Sequence, residues 1–382
     1  METIERVETF LVAPRWLFVR IETSGGLVGW GEASCEGRSE TVRTAVEQLS
    51  EYLIGQDPFR IEDHWQVMSK GSFYRYGVIL SSAVSGIDQA LWDLLGRSVG
   101  LPVHQLLGGP VRDRIRVYAW VGGDEPDEVA DHVAAQVEAG MTAVKMNASG
   151  KMSPIATAAE LAGVERRVAA ARDVLGPTRD VAVDLHGRFT LADARRVAGM
   201  IEPYHPFFIE EPVIPENSHL IGKMVESTTV PISTGERLYN RQEFLPVLQA
   251  GIAVAQPDLS HAGGISEVRR IASLAETFDV QLAPHCPLGP LAFASSLQVG
   301  FAAPNHLIQE QSIGIHYNEG AEVLDYVADT APLRFVDGHV ERLTGPGLGI
   351  EIDEAAVRDA DKRGHAWRNP VWRHDNGAFA EW

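Results

Sequence analysis

Cysteine is scarce: Cys35 and Cys286 are the only two in 382 residues. Two thiols cannot build a disulfide framework, and so few of them fit a reducing compartment. A basic excess is also lacking. The formal charge of −19 argues against nucleic acid or an anionic membrane surface as a partner. It does not exclude a small anionic substrate, because a metal ion and a few local bases reverse the field inside a cleft. No apolar run approaches the length of a membrane span. The opening METIERVETFLVAPRW carries charges where a signal peptide needs an apolar core. There is no low-complexity linker. These absences point to a cytoplasmic protein of enzyme size, and the length favours two domains over one.

Residues 1–115 show no regular strand–helix alternation. Leu17–Glu22 and Leu27–Glu32, separated by Thr23-Ser24-Gly25-Gly26, read as a hairpin. A helical pattern opens near Ser39. Another runs from Ser81 to Gly96 with Val84, Ile87, Leu91, Leu94 and Leu95 at helical spacing, and Gly96 is placed to stop it. This stretch reads as an α+β unit.

From Arg116 the pattern alternates. Strands are expected at Arg116–Val121, Thr142–Asn147, Val181–His186, Phe207–Glu211, Pro231–Glu236, Ile252–Leu259, Val280–His285 and Leu307–Gln311, with helical stretches between them. Strands joined by crossovers in this number imply a barrel more than an open sheet. No glycine-rich dinucleotide fingerprint follows the first of them. The fold class expected is α/β, a modified (β/α) barrel over residues 116–325. From about 326 to 382 the period is lost. That segment carries Trp367, Trp372 and Trp382 and is expected to return to the first unit as packing.

Three of the strands end in an acid. Asp184, Glu210 and Glu236 are spaced 26 and 26 residues apart, about one strand, one helix and two loops. In a (β/α) barrel the C-terminal strand ends carry the chemistry. Three convergent carboxylates repel one another unless a cation sits between them, and all-oxygen ligands suit a hard ion, Mg²⁺ first. Lys145 and Asn147 end the strand before them. His186 is expected on the same side as Asp184, because residues two apart on a strand share a face. Glu211 is expected to turn away from Glu210 as a structural residue. Asp258 and His285 end neighbouring strands, where a carboxylate fixes the tautomer of an imidazole and raises its basicity. Glu310 ends the last strand. His205, His219 and His261 read as loop or surface residues.

Two histidines on non-adjacent strands can face opposite sides of one bound molecule. That suits removal of a proton next to a carboxylate, which is too weakly acidic for imidazole without a cation to stabilise the enediolate formed. A second, protonated histidine then expels a β-hydroxyl as water. A metal-dependent barrel hydrolase would want histidine ligands on the first strand, and Arg116–Val121 offers none. A non-catalytic sugar-binding protein is the third reading.

The runs SGIDQALWDLLGRSVGLPVHQLLGG, VDLHGR, FIEEPV, TGERLYNR, QPDLSHAGGI, LAPHCPLGP, QEQSIGIHYN, PGLGIEIDE and WRNPVWRHD resemble the enolase superfamily, its mandelate racemase-like branch, and within it the D-galactonate dehydratases. The resemblance spans nearly the whole chain. It implies that residues 1–115 and the returning 326–382 form a capping domain, and that Asp184, Glu210 and Glu236 bind Mg²⁺. It also implies that His285 takes the C2 proton with Asp258 behind it, that Glu310 hydrogen-bonds the enediolate and that His186 protonates the departing C3 hydroxyl. A metal-assisted histidine base is the superfamily's known scheme. The racemases carry a second lysine where this chain has Asn147, so elimination is favoured over racemisation. The expected substrate is D-galactonate, or failing that another hexonate of the gluconate type. The expected product is a 2-keto-3-deoxy sugar acid. Substrate contacts are expected from Lys145 and Asn147 at the strand tip, and from Arg15, Tyr74 and Arg75 in the loops Val12–Trp16 and Ser72–Gly77. The 148–154 loop matches no assigned motif. Family habit implies a homo-oligomer.

Overall fold

A computed structural model describes residues 2–315 and 318–382. The chain starts with an antiparallel meander of β1 (Ile4–Val12), β2 (Trp16–Thr23) and β3 (Val28–Glu32). The expected hairpin is β2 and β3. Strand β1 escapes a pattern search because burial is confined to its two ends and its middle is partly exposed. Helices α1 (Ser39–Leu53), α2 (Ile61–Lys70), α3 (Val78–Val99) and the short α4 (Val103–Leu106) follow.

Helix α3 organises this unit by packing on β3, α1 and α10 (Gly264–Thr277). It is long and apolar enough to cross a membrane by length and composition, contrary to the expectation that no run approaches that length. Most of it is buried inside the protein, where Asp88 and Asp93 accept backbone N–H groups from Ser266, Trp30 and Leu348. The expected stop at Gly96 moves to Gly100, which adopts the left-handed C-cap conformation at φ 69°. Gly96 meets a different need. A Cβ there would lie 2.6 Å from the Cα of Gly347, so two backbones approach where no side chain fits.

Eight strands then pair in parallel: β4 (Arg114–Val121), β5 (Ala143–Asn147), β6 (Asp180–Asp184), β7 (Ile209–Glu210), β8 (Ile232–Thr234), β9 (Val254–Ala255), β10 (Gln281–Leu282) and β11 (Gln309–Gln311). The ring closes because β11 pairs with β4, and a parallel bridge joins Leu282 of β10 to His306 just before β11. Inside it, Tyr118, Phe208 and Ile308 interleave with Ala143, Ala182 and Ala283. Large residues face small ones, which fills the barrel as a packed core. Burying one such phenylalanine contributes about 1.5–3 kcal/mol.

Helices α5 (Pro126–Glu138), α6 (Ala158–Leu175), α7 (Leu191–Ile201), α8 (Ile221–Val225), α9 (Arg241–Gln249), α10 and α11 (Pro290–Ala302) follow the first seven strands. Local signals start several of them. Thr157 and Glu160 form a capping box on α6, and the Asn240 side chain accepts two backbone N–H groups of α9. Among the described residues no α-helix follows β11 until α12 (Glu354–Arg363), so the barrel is modified in its last unit. A hairpin of β12 (Phe335–Val336) and β13 (His339–Glu341) pairs antiparallel with the start of β4. Helix α12 packs on β1. Arg358 pairs with Glu8 at 3.0 Å, and Asp361 accepts from Leu11 N at 2.7 Å. The last hairpin, β14 (Trp372–Arg373) with β15 (Phe379–Ala380), lies at the mouth of the barrel.

Candidate active site

A cavity of ≈ 860 Å³ opens at the C-terminal ends of the barrel strands, large enough for a small organic acid. Of the residues expected there, Lys145, Asn147, Asp184, His186, Glu236, His285 and Glu310 line it. Glu210 and Asp258 lie one layer behind, both buried.

Asp184 and Glu210 are direct partners across β6 and β7. Glu236 follows the end of β8, two residues past Thr234. The Lys145 ammonium lies 2.7 Å from Glu210 Oε1 and 2.6 Å from Glu310 Oε1. The other Glu210 oxygen accepts from Gln256 Nε2 at 2.7 Å. Burial and the neighbouring acids push the Glu210 carboxyl well above its ordinary range, against the pull of Lys145. Burial likewise raises Asp184, with the Glu236 charge adding to it. Among the described residues no three His, Cys, Asp or Glu side chains are gathered into a closed ligand shell, and the oxygens of Glu210 are turned to Lys145 and Gln256. The donor chemistry still fits a hard cation. It consists of two buried carboxylates at adjacent strand ends, Asp184 and Glu210, and the partly buried Glu236 just past the next strand, whose charge adds to the repulsion on both, with Lys145 as the close ammonium.

His285 donates from Nδ1 to Asp258 Oδ2 at 2.7 Å, and its Nε2 stands 3.5 Å from Glu236. Asp258 is itself fixed by the Ser260 N–H at 2.6 Å. Burial lowers the ring's pKa. The charges of Glu236 and Glu310 and the Asp258 hydrogen bond outweigh it and raise the value to about 10. Glu310 accepts from the Cys286 N–H at 2.9 Å.

His186 reaches the cavity by a route that strand alternation does not describe. Strand β6 ends at Asp184, and His186 is left-handed at φ 52°. Asp184 Oδ1 accepts the His186 N–H at 2.6 Å, and the ring Nδ1 lies 2.9 Å from the carbonyl oxygen of Trp382. Glu211, also at positive φ, turns to Thr234, Gly235 and Arg237, in keeping with a structural role. His205 and His219 are exposed.

Other expectations need correcting. Arg15 is fully buried and does not face the cavity. Its guanidinium is held by Glu36, Asn318 and the Pro287 carbonyl. The 72–77 loop is exposed, with Tyr74 at 85%, and Tyr74 and Arg75 do not line the cavity. The wall from the first unit is Cys35, Glu36 and Val78 instead. His261 is no surface residue. It lines the cavity with Nδ1 2.9 Å from Ser82 Oγ. Its spacing three residues after Asp258 was the available signal. The tail tryptophans Trp367, Trp372 and Trp382 also line the mouth, and Arg188 stacks over Trp372 at 4.9 Å. The unassigned 148–154 loop contributes Ser149 and Gly150, and Lys151 holds the Arg373 carbonyl at 2.8 Å. Of the QEQSIGIHYN run, His316 and Tyr317 lie outside the described residues.

Residues 128–356 match the enolase C-terminal domain-like family, and residues 8–108 match the N-terminal domain of the mandelate racemase / muconate lactonizing enzyme family. The chain is 48% identical over 380 residues to a D-galactonate dehydratase of Variovorax paradoxus, covering 99% of this chain and 100% of that one. It is 49% identical to another from Pectobacterium atrosepticum over the same shares. An Agrobacterium radiobacter enolase, for which galactarate dehydratase activity is suggested, was crystallised with sodium and L-malate. It superposes with a TM-score of 0.91 at 32% identity over 100% of both chains. A mandelate racemase/muconate lactonizing enzyme from Sulfitobacter gives a TM-score of 0.90 at 28% identity, covering 98% of this chain and 99% of that one.

Proposed function

The chain belongs to the D-galactonate dehydratase family of the enolase superfamily and is a sugar-acid hydro-lyase, and from that membership we propose that it converts D-galactonate to 2-dehydro-3-deoxy-D-galactonate and water with Mg²⁺ as its cofactor. One observation carries the reading beyond the family. His186 follows the third barrel strand and His285 follows the seventh. Four strands apart in a closed ring of eight, both line the cavity from opposite sides of the ring, which supports a base and an acid on opposite sides of one substrate.

In this reading Asp184, Glu210 and Glu236 hold the cation. When bound, Mg²⁺ supplies positive charge to these acids and to the substrate carboxylate, which removes part of the field that raises His285 and steadies the charge arriving from C2. His285 takes the C2 proton on Nε2, the nitrogen left over by Asp258. The C3–O bond breaks as His186 delivers a proton to the hydroxyl, which leaves as water. The remaining enol gains a proton at C3 and loses its C2 hydroxyl proton to give the 2-keto product. Glu310 and Lys145 orient the substrate carboxylate side. Asn147, whose buried Oδ1 has no hydrogen-bond partner among the described residues, accepts a hydrogen bond from a substrate hydroxyl.

The test is a library of hexonates and hexarates incubated with Mg²⁺ and assayed for 2-keto acid. Consumption of D-galactonate is the expected result. If D-galactonate stays intact while galactarate or gluconate is consumed, the substrate assignment fails and the reaction class stands.

A further inference from the structure

The loop that presents His285, residues 285–290, is gripped from two directions. From the barrel, Glu310 accepts the Cys286 N–H and Ser312 Oγ donates to the Leu288 carbonyl at 2.6 Å. From the N-terminal unit, Arg15 Nη2 donates to the Pro287 carbonyl at 2.7 Å. Glu32 Oε1 accepts the Gly289 N–H at 2.9 Å, and Oε2 accepts the Ala292 N–H at 3.0 Å.

Both side chains are fully buried, and neither lines the cavity. Arg15 Nη1 donates to Asn318 Oδ1 at 2.8 Å, and other polar atoms of the two side chains are engaged within their own unit. Arg15 Nε meets Glu36 at 2.5 Å. Ser34 Oγ accepts the Leu17 N–H and passes its own proton to Glu32 at 2.7 Å. Glu32 therefore supplies the acceptor that the open first turn of α11 requires. A Cβ at Gly289 would lie 2.7 Å from the Glu32 carboxylate, so only glycine lets the loop come this close. A carbonyl is held by a cation and, two residues on, an amide is held by a carboxyl oxygen. Grips of opposite polarity fix the orientation of the loop as well as its position.

Resting on the reading of His285 as the base, we propose that Arg15 and Glu32 are positioning residues, through which docking of the N-terminal unit sets where the His285 imidazole stands. The first unit then does more than wall the cavity. It completes the support of a group in the loop that follows the barrel's seventh strand.

The experiment compares Glu32→Gln with Asp93→Asn in the full-length protein with Mg²⁺. Asp93 makes the same kind of buried contact, to the Trp30 and Leu348 amides, away from the His285 loop. Kinetics per folded molecule are read on whichever acid sugar the wild type consumes, together with the isotope effect of C2-deuterated substrate. Amide hydrogen exchange over 285–295 is followed by mass spectrometry. Glu32→Gln should lower kcat about 10- to 100-fold, in line with a misplacement of about 1 Å, with KM little changed. The C2 isotope effect should increase and exchange over 285–295 should accelerate. Asp93→Asn should lower Tm without these changes. Arg15→Lys, which keeps the charge but loses the Nη2 bond to the Pro287 carbonyl, serves if Glu32→Gln fails to fold. Unchanged kcat per folded molecule overturns the proposal, even if exchange accelerates. So does a loss that Asp93→Asn reproduces in full. A wild type that dehydrates no acid sugar would sink the functional reading alone, leaving unaltered exchange over 285–295 as the result that refutes the grip.

Discussion

His285 Nδ1 and Asp258 Oδ2 meet at 2.7 Å, with Asp258 buried and pinned by the Ser260 amide. The pair sets which ring nitrogen faces the cavity. Asp258→Asn keeps the shape and removes the charge, so the ring loses both its tautomer preference and part of its basicity. We expect kcat to fall by roughly 10²–10⁴-fold, the usual worth of a positioned acid–base group. Circular dichroism and Tm should stay near wild type. A variant with wild-type kcat would remove Asp258 from the account.

Lys145 joins Glu210 to Glu310 in the buried base of the site. Lys145→Met leaves two carboxylates without their ammonium. Removing one partner of a buried pair costs about 3–5 kcal/mol, so Tm should drop sharply in metal-free buffer. Because a divalent cation compensates the same acids, Mg²⁺ should restore more Tm to this variant than it adds to the wild type. Differential scanning calorimetry with EDTA and with Mg²⁺ reads both effects.

His306 is buried against Gly300. Burial, with the Arg112 charge adding to it, lowers its pKa to about 3. In the unfolded chain an ordinary histidine titrates near 6.5. Between those values the unfolded chain binds a proton that the folded chain refuses. The contribution to stability is therefore complete above the unfolded value and is lost as pH falls toward 3. His306→Gln should flatten the dependence of Tm on pH across that window. An unchanged slope would assign the acid sensitivity to other groups.

Much of the barrel was legible because its strands are short apolar runs at a repeating interval. The 26-residue spacing of Asp184, Glu210 and Glu236 reports strand tips that share one end. The reading ran out where the backbone leaves the strand. Alternation placed His186 beside Asp184 for a reason that does not apply, since a left-handed turn brings it there. Arg15 was misread because its partners, Pro287 and Asn318, lie far along the chain. A charged side chain in a loop looks like a ligand contact until the fold buries it. The tail tryptophans read as packing in the sequence, because nothing local says that the end of the chain crosses the barrel mouth.

The division of labour between the two histidines is the centre of the account, and one isotope experiment reads it. His186→Asn is incubated with D-galactonate and Mg²⁺ in D₂O, with ¹H NMR following the C2 proton and a 2-keto acid assay following product. The account predicts that the C2 signal is lost to exchange while no 2-keto acid forms, and that His285→Asn abolishes both. Dehydration persisting in His186→Asn, or exchange vanishing there as fully as in His285→Asn, would contradict it.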